Sequence, residues 1–239
     1  MKVEIWSDFM CPFCYIGKRH FEEALNQFPQ KEQVEVVYRS FELSPGATYE
    51  PGVSMTELLA AKYGMSLEQA EASNARVTEQ ASKAGLTYHL DRVIPANTFD
   101  AHRLVHFAGQ QGKMKEMAER LFLAYFTETK DLDDPGILAD LAAETGLDRE
   151  EAAAVLASDR YSSEVRADED AARRIGVQGV PFFVLDGKYA VSGAQPAGVF
   201  AEALRKAFGE EKPLILVNDE DSAAGACTDE SCELPTNDK

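Results

Sequence analysis

The chain has 239 residues, of which 45% are hydrophobic, so it can form one large domain or two smaller ones around a substantial core. Its formal net charge of −17, from 24 basic and 41 acidic residues, argues against binding to nucleic acid or to anionic membrane surfaces. The N-terminal residues lack the pattern of a secretory signal, and no apolar stretch is long enough to span a bilayer. We therefore expect a cytoplasmic protein; a mature exported form with a trimmed signal stays open.

The first forty residues have the pattern of a βαβ unit. Residues 2–7 suit a short strand, and apolar residues at helical spacing predict a helix over residues 12–28, with a proline at its first position. Residues 34–41, VEVVYRSF, are rich in β-branched and aromatic side chains and predict a second strand. The two strands are then parallel and joined by a right-handed crossover.

Residues 55–175 have helical patterns almost throughout. Ser66 with Gln69 forms a capping-box pattern, which predicts a helix start. The segment 97–127 carries apolar residues at helical spacing, with a break near residue 111.

Strand patterns return at residues 182–192, where Asp186-Gly187 predicts a two-residue hairpin turn, and a last helix is predicted over residues 196–208. The order β-α-β, helical block, β-β-α predicts an α/β protein in which one small mixed sheet carries an inserted all-helical subdomain. The predicted bounds are 1–50 and 176–209 for the two halves of the sheet domain, 51–175 for the insert and 210–239 for a C-terminal extension.

Two of the four cysteines flank Pro12 and Phe13 in the motif CPFC. Cys11 falls where the first strand turns into the first helix, and the unpaired N–H groups and positive dipole end of a helix stabilise a thiolate over a thiol. Cys14 lies one helical turn further, close enough to form a disulfide with Cys11. We therefore interpret Cys11 as an exposed nucleophile and Cys14 as a partly buried resolving thiol. The spacer Pro12-Phe13 adjusts how strongly the thiolate is favoured.

Three other interpretations of this cysteine pair stay open. A zinc clip would need a second ligand pair, for which Cys227 and Cys232 are the candidates. A structural disulfide would need an oxidising compartment, and free cysteines are often simply buried. A cysteine pair beside a βαβ pattern favours the redox interpretation, with no metal bound.

The sequence GVQGVPFFVL at 176–185 places Pro181 at the start of the third predicted strand. An X-Pro bond in a tight loop can be cis, and in a sheet of this order the loop lies beside the helix N-terminus that carries the dithiol. The backbone of Val180 could then pair with an extended substrate chain. A proline that only starts a strand is the alternative; together with CPFC and the element order, we favour the substrate loop.

Three segments of the chain are distinctive: SDFMCPFCYIGKRHFE, PANTFDAHRLVHFA and EVRADEDAARRIGVQGVPFFVLDGKYAVSGAQP. Together they resemble the DsbA family of oxidoreductases, which have a thioredoxin fold with an inserted helical domain, and within it the FrnE-like branch. The resemblance extends to about residue 208 and also relates the chain to 2-hydroxychromene-2-carboxylate isomerase and kappa-type glutathione transferases. Those relatives typically lack an intact CxxC motif, so the two cysteines favour the redox branch.

The resemblance implies dithiol–disulfide exchange, with Cys11 as the nucleophile, Cys14 as the resolving cysteine and Pro181 as a cis-proline preceded by Val180. It implies protein substrates with thiols or disulfides and no organic cofactor. Glutathione or a thioredoxin system is the expected electron partner.

The segment NTFDAHR, residues 97–103, resembles a motif of the family insert. We expect Asn97 or Thr98 to start a helix. We expect His102 and Arg103 to line the insert rather than to act in the site.

The C-terminal residues depart from this family pattern. An apolar run at 214–217 suggests a docked edge strand, and the acidic end carries Cys227 and Cys232 in CTDESC. Acidic neighbours disfavour thiolates there. We expect an accessory redox pair; an inert flexible end is the second interpretation, and a soft-metal site is the third.

The leading hypothesis is a cytoplasmic protein disulfide oxidoreductase or isomerase that acts by mixed-disulfide exchange at CPFC. The alternatives are a glutathione-dependent isomerase or transferase of small molecules and a non-catalytic, holdase-like binding protein. A four-cysteine metal protein is the weakest of these hypotheses.

Overall fold

The computed structural model describes residues 1–50, 52–209, 227–228 and 231–232. Residues Met1–Phe208 form one compact unit and Gly209–Lys239 a second. The strands are β1 (Lys2–Ser7), β2 (Glu35–Ser40), β3 (Phe182–Leu185), β4 (Tyr189–Ser192), β5 (Cys227–Thr228) and β6 (Ser231–Cys232). The helices are α1 (Pro12–Asn26), α2 (Met55–Tyr63), α3 (Leu67–Lys83), α4 (Phe99–Gln110), α5 (Met114–Phe126), α6 (Pro135–Glu144), α7 (Arg149–Leu156), α8 (Ser162–Arg174) and α9 (Ala197–Gly209), with a short 3₁₀ turn at Lys31–Gln33.

The first unit is built on a four-stranded sheet with the order β2-β1-β3-β4. β1 is parallel to β2, with Lys2 opposite Glu35, and β3 is antiparallel to both β1 and β4. Asp186 and Gly187, which join β3 to β4, both have left-handed φ values, 54° and 68°, as a tight hairpin turn requires. The predicted small mixed sheet and its hairpin are confirmed.

Helices cover both faces of this sheet. On one face Phe21 of α1 packs against Phe183 of β3 and Phe200 of α9, with ring centroids 5.6 and 5.8 Å away. On the other face Trp6 of β1 donates its indole N–H to the Asp168 carbonyl of α8 at 2.9 Å. The central strand β1 is therefore covered on both sides, and its apolar residues Val3, Ile5 and Trp6 are buried.

The middle of the chain is helical, as predicted, and the break near residue 111 separates α4 from α5. The Ser66 hydroxyl accepts the Gln69 N–H at 3.2 Å, and the Gln69 side chain accepts the Ser66 N–H at 2.9 Å, so the predicted capping box is present. The expectation of helix almost throughout is wrong for residues 84–98, which form neither helix nor strand. Contacts with other elements hold this segment; the His89 N–H, for example, donates to the Phe126 carbonyl at 2.8 Å.

The inserted helices pack directly on the sheet domain within the first unit. The predicted subdivision of that unit at residues 50 and 175 stays a prediction. In the described part of the chain, no helix combines the length and apolar character needed to cross a membrane.

Candidate active site

The CPFC motif begins α1. Cys11 is the N-cap residue, with extended backbone dihedrals (φ −89°, ψ 111°), and Pro12 follows in the first turn, where its missing N–H costs no hydrogen bond. The Cys14 N–H donates to the Cys11 carbonyl at 3.0 Å, and both cysteines are free thiols. Cys11 is therefore placed at the positive end of the α1 dipole.

Both thiols are buried. The exposed fraction is 5% for Cys11 and 2% for Cys14, so the prediction of an exposed Cys11 is wrong. A much later part of the chain covers Cys11, whose Sγ lies 3.6 Å from the Val180 carbonyl oxygen. The spacer residue Phe13 is 40% exposed instead and forms the apolar surface beside the dithiol.

The Val180-Pro181 peptide bond is cis, and it immediately precedes β3. The Pro181 carbonyl accepts the Gly193 N–H at 2.8 Å. α1 packs closely on this loop at Gly17, where an added Cβ would lie 3.0 Å from Pro181 Cγ, so a larger residue requires the loop to shift. The structure thus brings Val180 and Pro181 beside Cys11; their role toward a substrate stays a prediction.

A buried carboxylate lies behind the dithiol. Asp8 has no exposed surface, and its backbone N–H contacts Cys14 Sγ at 3.5 Å. Its carboxylate accepts the N–H groups of Leu43 at 2.7 Å and Met10 at 3.4 Å, and it lies 3.7 Å from His102 Nε2. The CPFC pattern does not predict this arrangement. His102, expected to serve packing alone, borders the site through Asp8.

Burial raises the pKa of the Cys14 thiol well above its ordinary value, and the hydrogen bond and charge of Cys11 add to that effect. Hydrogen bonds from the Ser7 side chain and the Asp8 N–H lower the pKa of Cys14 without cancelling the rise. Cys14 therefore keeps its proton at neutral pH, which suits a thiol that acts second rather than first.

Aromatic residues attach the inserted helices to α1. The Tyr88 hydroxyl donates to the Pro12 carbonyl at 2.8 Å, and its ring stacks on Phe126 with centroids 4.6 Å apart. Tyr15 stacks on Phe122 of α5 at 5.0 Å. Aromatic pairs in such geometries add to the free energy of burial, so these contacts fix the dithiol relative to the insert.

A group of charged side chains, called here the α1–α5 ion group, adds a polar link between the same two helices. It consists of Lys18, Arg19, Glu22 and Glu119 with the hydroxyl of Tyr15. Lys18 is only 5% exposed at its side chain and is paired with both carboxylates of the group. Glu119 accepts hydrogen bonds from Lys18, Arg19 and, at 2.6 Å, the Tyr15 hydroxyl.

Comparison with known proteins assigns this arrangement to a family. The family model of the DSBA-like thioredoxin domain matches residues 2–205. The chain belongs to this family. Among curated proteins, the uncharacterized protein YwbO of Bacillus subtilis (strain 168) is 30% identical to it over 204 residues, which are 84% of this chain and 94% of YwbO.

Solved structures agree with the DSBA-like assignment. The crystal structure of a probable DsbA oxidoreductase from Streptomyces coelicolor has 46% identity and a TM-score of 0.85, covering 99% of this chain and all of that one. A 2-hydroxychromene-2-carboxylate isomerase has 18% identity and a TM-score of 0.66, with 89% and 100% coverage. The cytosolic disulfide reductase DsbM from Pseudomonas aeruginosa, solved with GSH, has 15% identity and a TM-score of 0.61, with 87% and 100% coverage. The last two show a shared fold. The predicted thioredoxin fold and DsbA family are confirmed.

In this DSBA-like chain, the NTFDAHR segment starts α4, and apart from His102 its residues have structural roles. Thr98 is the N-cap residue of α4 and makes no side-chain capping hydrogen bond, and the Asn97 side chain before it accepts the Phe99 N–H at 2.9 Å. Arg103 is 3% exposed and donates to the main-chain carbonyls of Val155 and Arg160 around the end of α7. It thereby satisfies carbonyls that a helix end leaves unpaired.

For the C-terminal cysteines the structure describes the backbone. Cys227 of β5 and Cys232 of β6 are directly opposite each other in an antiparallel pair. This register brings together the two residues interpreted as an accessory redox pair. The apolar run at 214–217, with its predicted edge strand, lies outside the described residues.

Proposed function

We propose that the protein is a cytoplasmic dithiol–disulfide oxidoreductase or isomerase of protein substrates, with Cys11 as the nucleophile and Cys14 as the resolving thiol. The observation that carries the proposal is the position of Cys11 at the start of α1, with its Sγ 3.6 Å from the Val180 carbonyl beside cis-Pro181. The start of α1 presents unpaired N–H groups and the positive end of the helix dipole on the side of that sulfur. The neighbouring loop can hydrogen-bond to an extended substrate chain.

In the reductive direction, the Cys11 thiolate attacks one sulfur of a substrate disulfide. A mixed disulfide forms, the substrate S–S bond breaks, and one substrate thiolate leaves and takes up a proton. Cys14 then loses its proton and attacks Cys11 Sγ, which closes the Cys11–Cys14 disulfide and releases the second substrate thiol. Two electrons pass from the dithiol to the substrate. Oxidation is the reverse sequence.

Isomerisation requires that the mixed disulfide persists long enough for another substrate thiol to attack it. The high pKa of the buried Cys14 thiol favours this outcome, because little Cys14 thiolate is present to resolve the intermediate at neutral pH. The exposed ring of Phe13 provides an apolar contact for a partly unfolded substrate.

Turnover needs an electron partner, and glutathione or a thioredoxin system is the proposed one. Two glutathione molecules would reduce the Cys11–Cys14 disulfide and leave as glutathione disulfide. The fold shared with DsbM, solved with GSH, supports glutathione as the first partner to test.

An accessory role for Cys227 and Cys232 is also part of the proposal. Their opposite positions in β5 and β6 support closure of a Cys227–Cys232 disulfide, which would pass two electrons to an oxidised partner such as the Cys11–Cys14 disulfide. Thiol trapping in graded glutathione buffers measures both pairs at once, and linked midpoints for the two pairs are expected if the C-terminal cysteines exchange with Cys11–Cys14.

The main test is glutathione-dependent reduction of insulin by the full-length protein. We expect Cys11→Ser to fall to the uncatalysed rate. In a single-turnover reaction of the reduced protein without glutathione, Cys14→Ser should accumulate a covalent complex with substrate, because no other thiol resolves the mixed disulfide. The double variant Cys227→Ser/Cys232→Ser is the matched control and should keep the first turnover of the reduced CPFC site.

Full activity in Cys11→Ser would contradict the proposal. Glutathione-dependent turnover of a small aromatic substrate that survives Cys14→Ser would instead identify a glutathione-using isomerase or transferase. Suppression of aggregation by a variant without cysteines, with no insulin reduction by the wild type, would identify a holdase.

A further inference from the structure

A cleft of about 500 Å³ opens in the first compact unit beside the start of α4. This volume is within the range of small-molecule sites in proteins. Its lining comes from the loop after β2, the start of α4, the α5–α6 connection and α8. The residues that matter are Glu42, Tyr49, Phe99, Asp100, Asp133 and Arg166.

Glu42 is the most buried charged residue of this lining, with 1% of its side chain exposed. Its Oε2 accepts a hydrogen bond from Arg166, which also donates to Glu169 at 2.7 Å. Within the part of the chain that the structure describes, its Oε1 has no hydrogen-bond partner. A buried carboxylate oxygen without a donor costs free energy. Glu42 is therefore suited to accept a hydrogen bond from a ligand.

The other charged groups of the lining are already engaged. Arg166 is shared between two carboxylates. Asp100 is paired with Arg103 at 2.7 Å, and Asp133 accepts the Asn97 N–H at 3.0 Å. Of the lining residues, Arg166 is the one cation, against three carboxylates. The cleft therefore carries an excess of negative charge.

The pKa values of two carboxylates in the cleft agree with this excess of negative charge. Burial raises the pKa of Glu42, and the charge of Glu169 adds to the rise. Partial desolvation at the rim of the cleft also raises the pKa of Asp133, with contributions from Asp131 and Asp100. A bound cation would compensate both effects.

We propose that this cleft binds a primary ammonium group, which donates one N–H to Glu42 Oε1 and balances the charge of Glu42 and Asp133. Hydrogen bonds between charged partners are the stronger class. The rings of Tyr49 and Phe99 line the cleft and can contact the methylene groups of an alkyl chain. A divalent metal fits less well, because the described residues hold no group of three or more metal-ligating side chains.

An ammonium group of this kind can come from a free amine or from a lysine side chain of a polypeptide. Two hydrogen bonds link the cleft to the dithiol: Leu43, next to Glu42, donates to Asp8 at 2.7 Å, and the Asp8 N–H contacts Cys14 Sγ at 3.5 Å. Only the assignment to a lysine of a substrate protein depends on the proposed function, because binding of a free amine needs no redox chemistry.

The direct test is a titration of the reduced, full-length protein with n-butylammonium chloride, followed by protein-observed NMR at constant ionic strength. Tetramethylammonium chloride, a cation without N–H donors, is the matched ligand control. We expect saturable binding of n-butylammonium and at least tenfold weaker binding of tetramethylammonium. Glu42→Gln should weaken n-butylammonium at least tenfold, whereas Glu202→Gln, an exposed carboxylate on α9, should bind like the wild type.

The proposal is overturned if the two cations bind equally, if Glu42→Gln binds n-butylammonium like the wild type, or if no saturable binding occurs. Should Glu42→Gln fail to fold, Asp133→Asn replaces it, since Asp133 is exposed. We expect three- to tenfold weaker binding for Asp133→Asn, and unchanged affinity overturns the proposal.

The source of the ammonium group is tested with two disulfide-containing peptides that differ by lysine or norleucine. Faster turnover of the lysine peptide that disappears in Glu42→Gln assigns the site to substrate lysine. Equal turnover of both peptides, with n-butylammonium binding intact, assigns it to a free amine. Absence of all turnover with intact amine binding contradicts the proposed function and leaves the cleft assignment supported.

Discussion

Replacement of Glu119 by glutamine removes the central anion of the α1–α5 ion group. Burial alone would raise the pKa of Glu119, but hydrogen bonds from Arg19 and the charge of Lys18 outweigh burial and lower that pKa from 4.5 to about 2. The variant also leaves the ammonium group of Lys18, which is 5% exposed, with Glu22 as its remaining partner in the group. We therefore expect Glu119→Gln to destabilise the fold.

The magnitude follows from the lowered pKa. At ~1.4 kcal/mol per pKa unit, the lowering corresponds to about 3 kcal/mol. One third of the Glu119 side chain is exposed, and solvent screening of such a group reduces the expected loss at pH 7 to about 1.5 kcal/mol. Because the pKa is lower in the folded state than in the unfolded state, this stability is present above about pH 4.5 and is lost as the pH falls toward 2.

Urea unfolding followed by circular dichroism measures this effect at pH 7 and at pH 3. Glu23→Gln is the matched control, because Glu23 lies exposed on α1, next to Glu22 but outside the α1–α5 ion group. We expect the difference between wild type and Glu119→Gln to shrink by half or more at pH 3, and Glu23→Gln to match the wild type at both values. A difference that is absent at pH 7, or equally large at pH 3, refutes the reasoning.

Three further substitutions test contacts around the site. Gly17→Ala would place a Cβ 3.0 Å from Pro181 Cγ. We expect the free energy of unfolding in urea to fall by ~1–3 kcal/mol, although alanine has the better helix propensity. A more stable variant would show that the Val180-Pro181 loop moves to make room. Tyr88→Phe removes the hydrogen bond to the Pro12 carbonyl and should lower the free energy of unfolding by ~1 kcal/mol. We also expect faster alkylation of the CPFC thiols. An unchanged alkylation rate would show that Tyr88 does not shield these thiols. In Arg103→Lys, the single ammonium group cannot bond the Val155 and Arg160 carbonyls at once, as the guanidinium does. We expect the free energy of unfolding, measured by thermal denaturation, to fall by ~2–4 kcal/mol. Wild-type stability would show that these hydrogen bonds do not stabilise the end of α7.

Features that depend on neighbours along the chain could be predicted from the sequence. The start of α3 depends on Ser66 and Gln69, three residues apart, and the β3–β4 turn depends on Asp186-Gly187 alone. The order of strand and helix patterns then leaves few topologies for a small mixed sheet, because a parallel β-α-β unit has a fixed hand. The position of CPFC at the start of α1 follows from the same local patterns.

Features that depend on distant residues could not be predicted. Cys11 is buried because Val180, 169 residues away along the chain, lies over its sulfur. The segment 84–98 forms no helix, and its His89 N–H donates instead to the Phe126 carbonyl of α5, a partner far away along the chain. No spacing rule places His102 beside Asp8, since their contact arises only when α4 packs behind the dithiol.

The contact between Trp6 and α8 supplies the protein with an optical reporter. Trp6 is the only tryptophan in the chain, it is 3% exposed, and its indole N–H is bonded to the Asp168 carbonyl. Its fluorescence therefore monitors, without any label, whether α8 stays docked on β1, whereas circular dichroism averages over all helices. Coincident denaturation curves from the two signals would mean that the sheet and the inserted helices melt as one cooperative body. A fluorescence change at lower urea would mean that α8 detaches first.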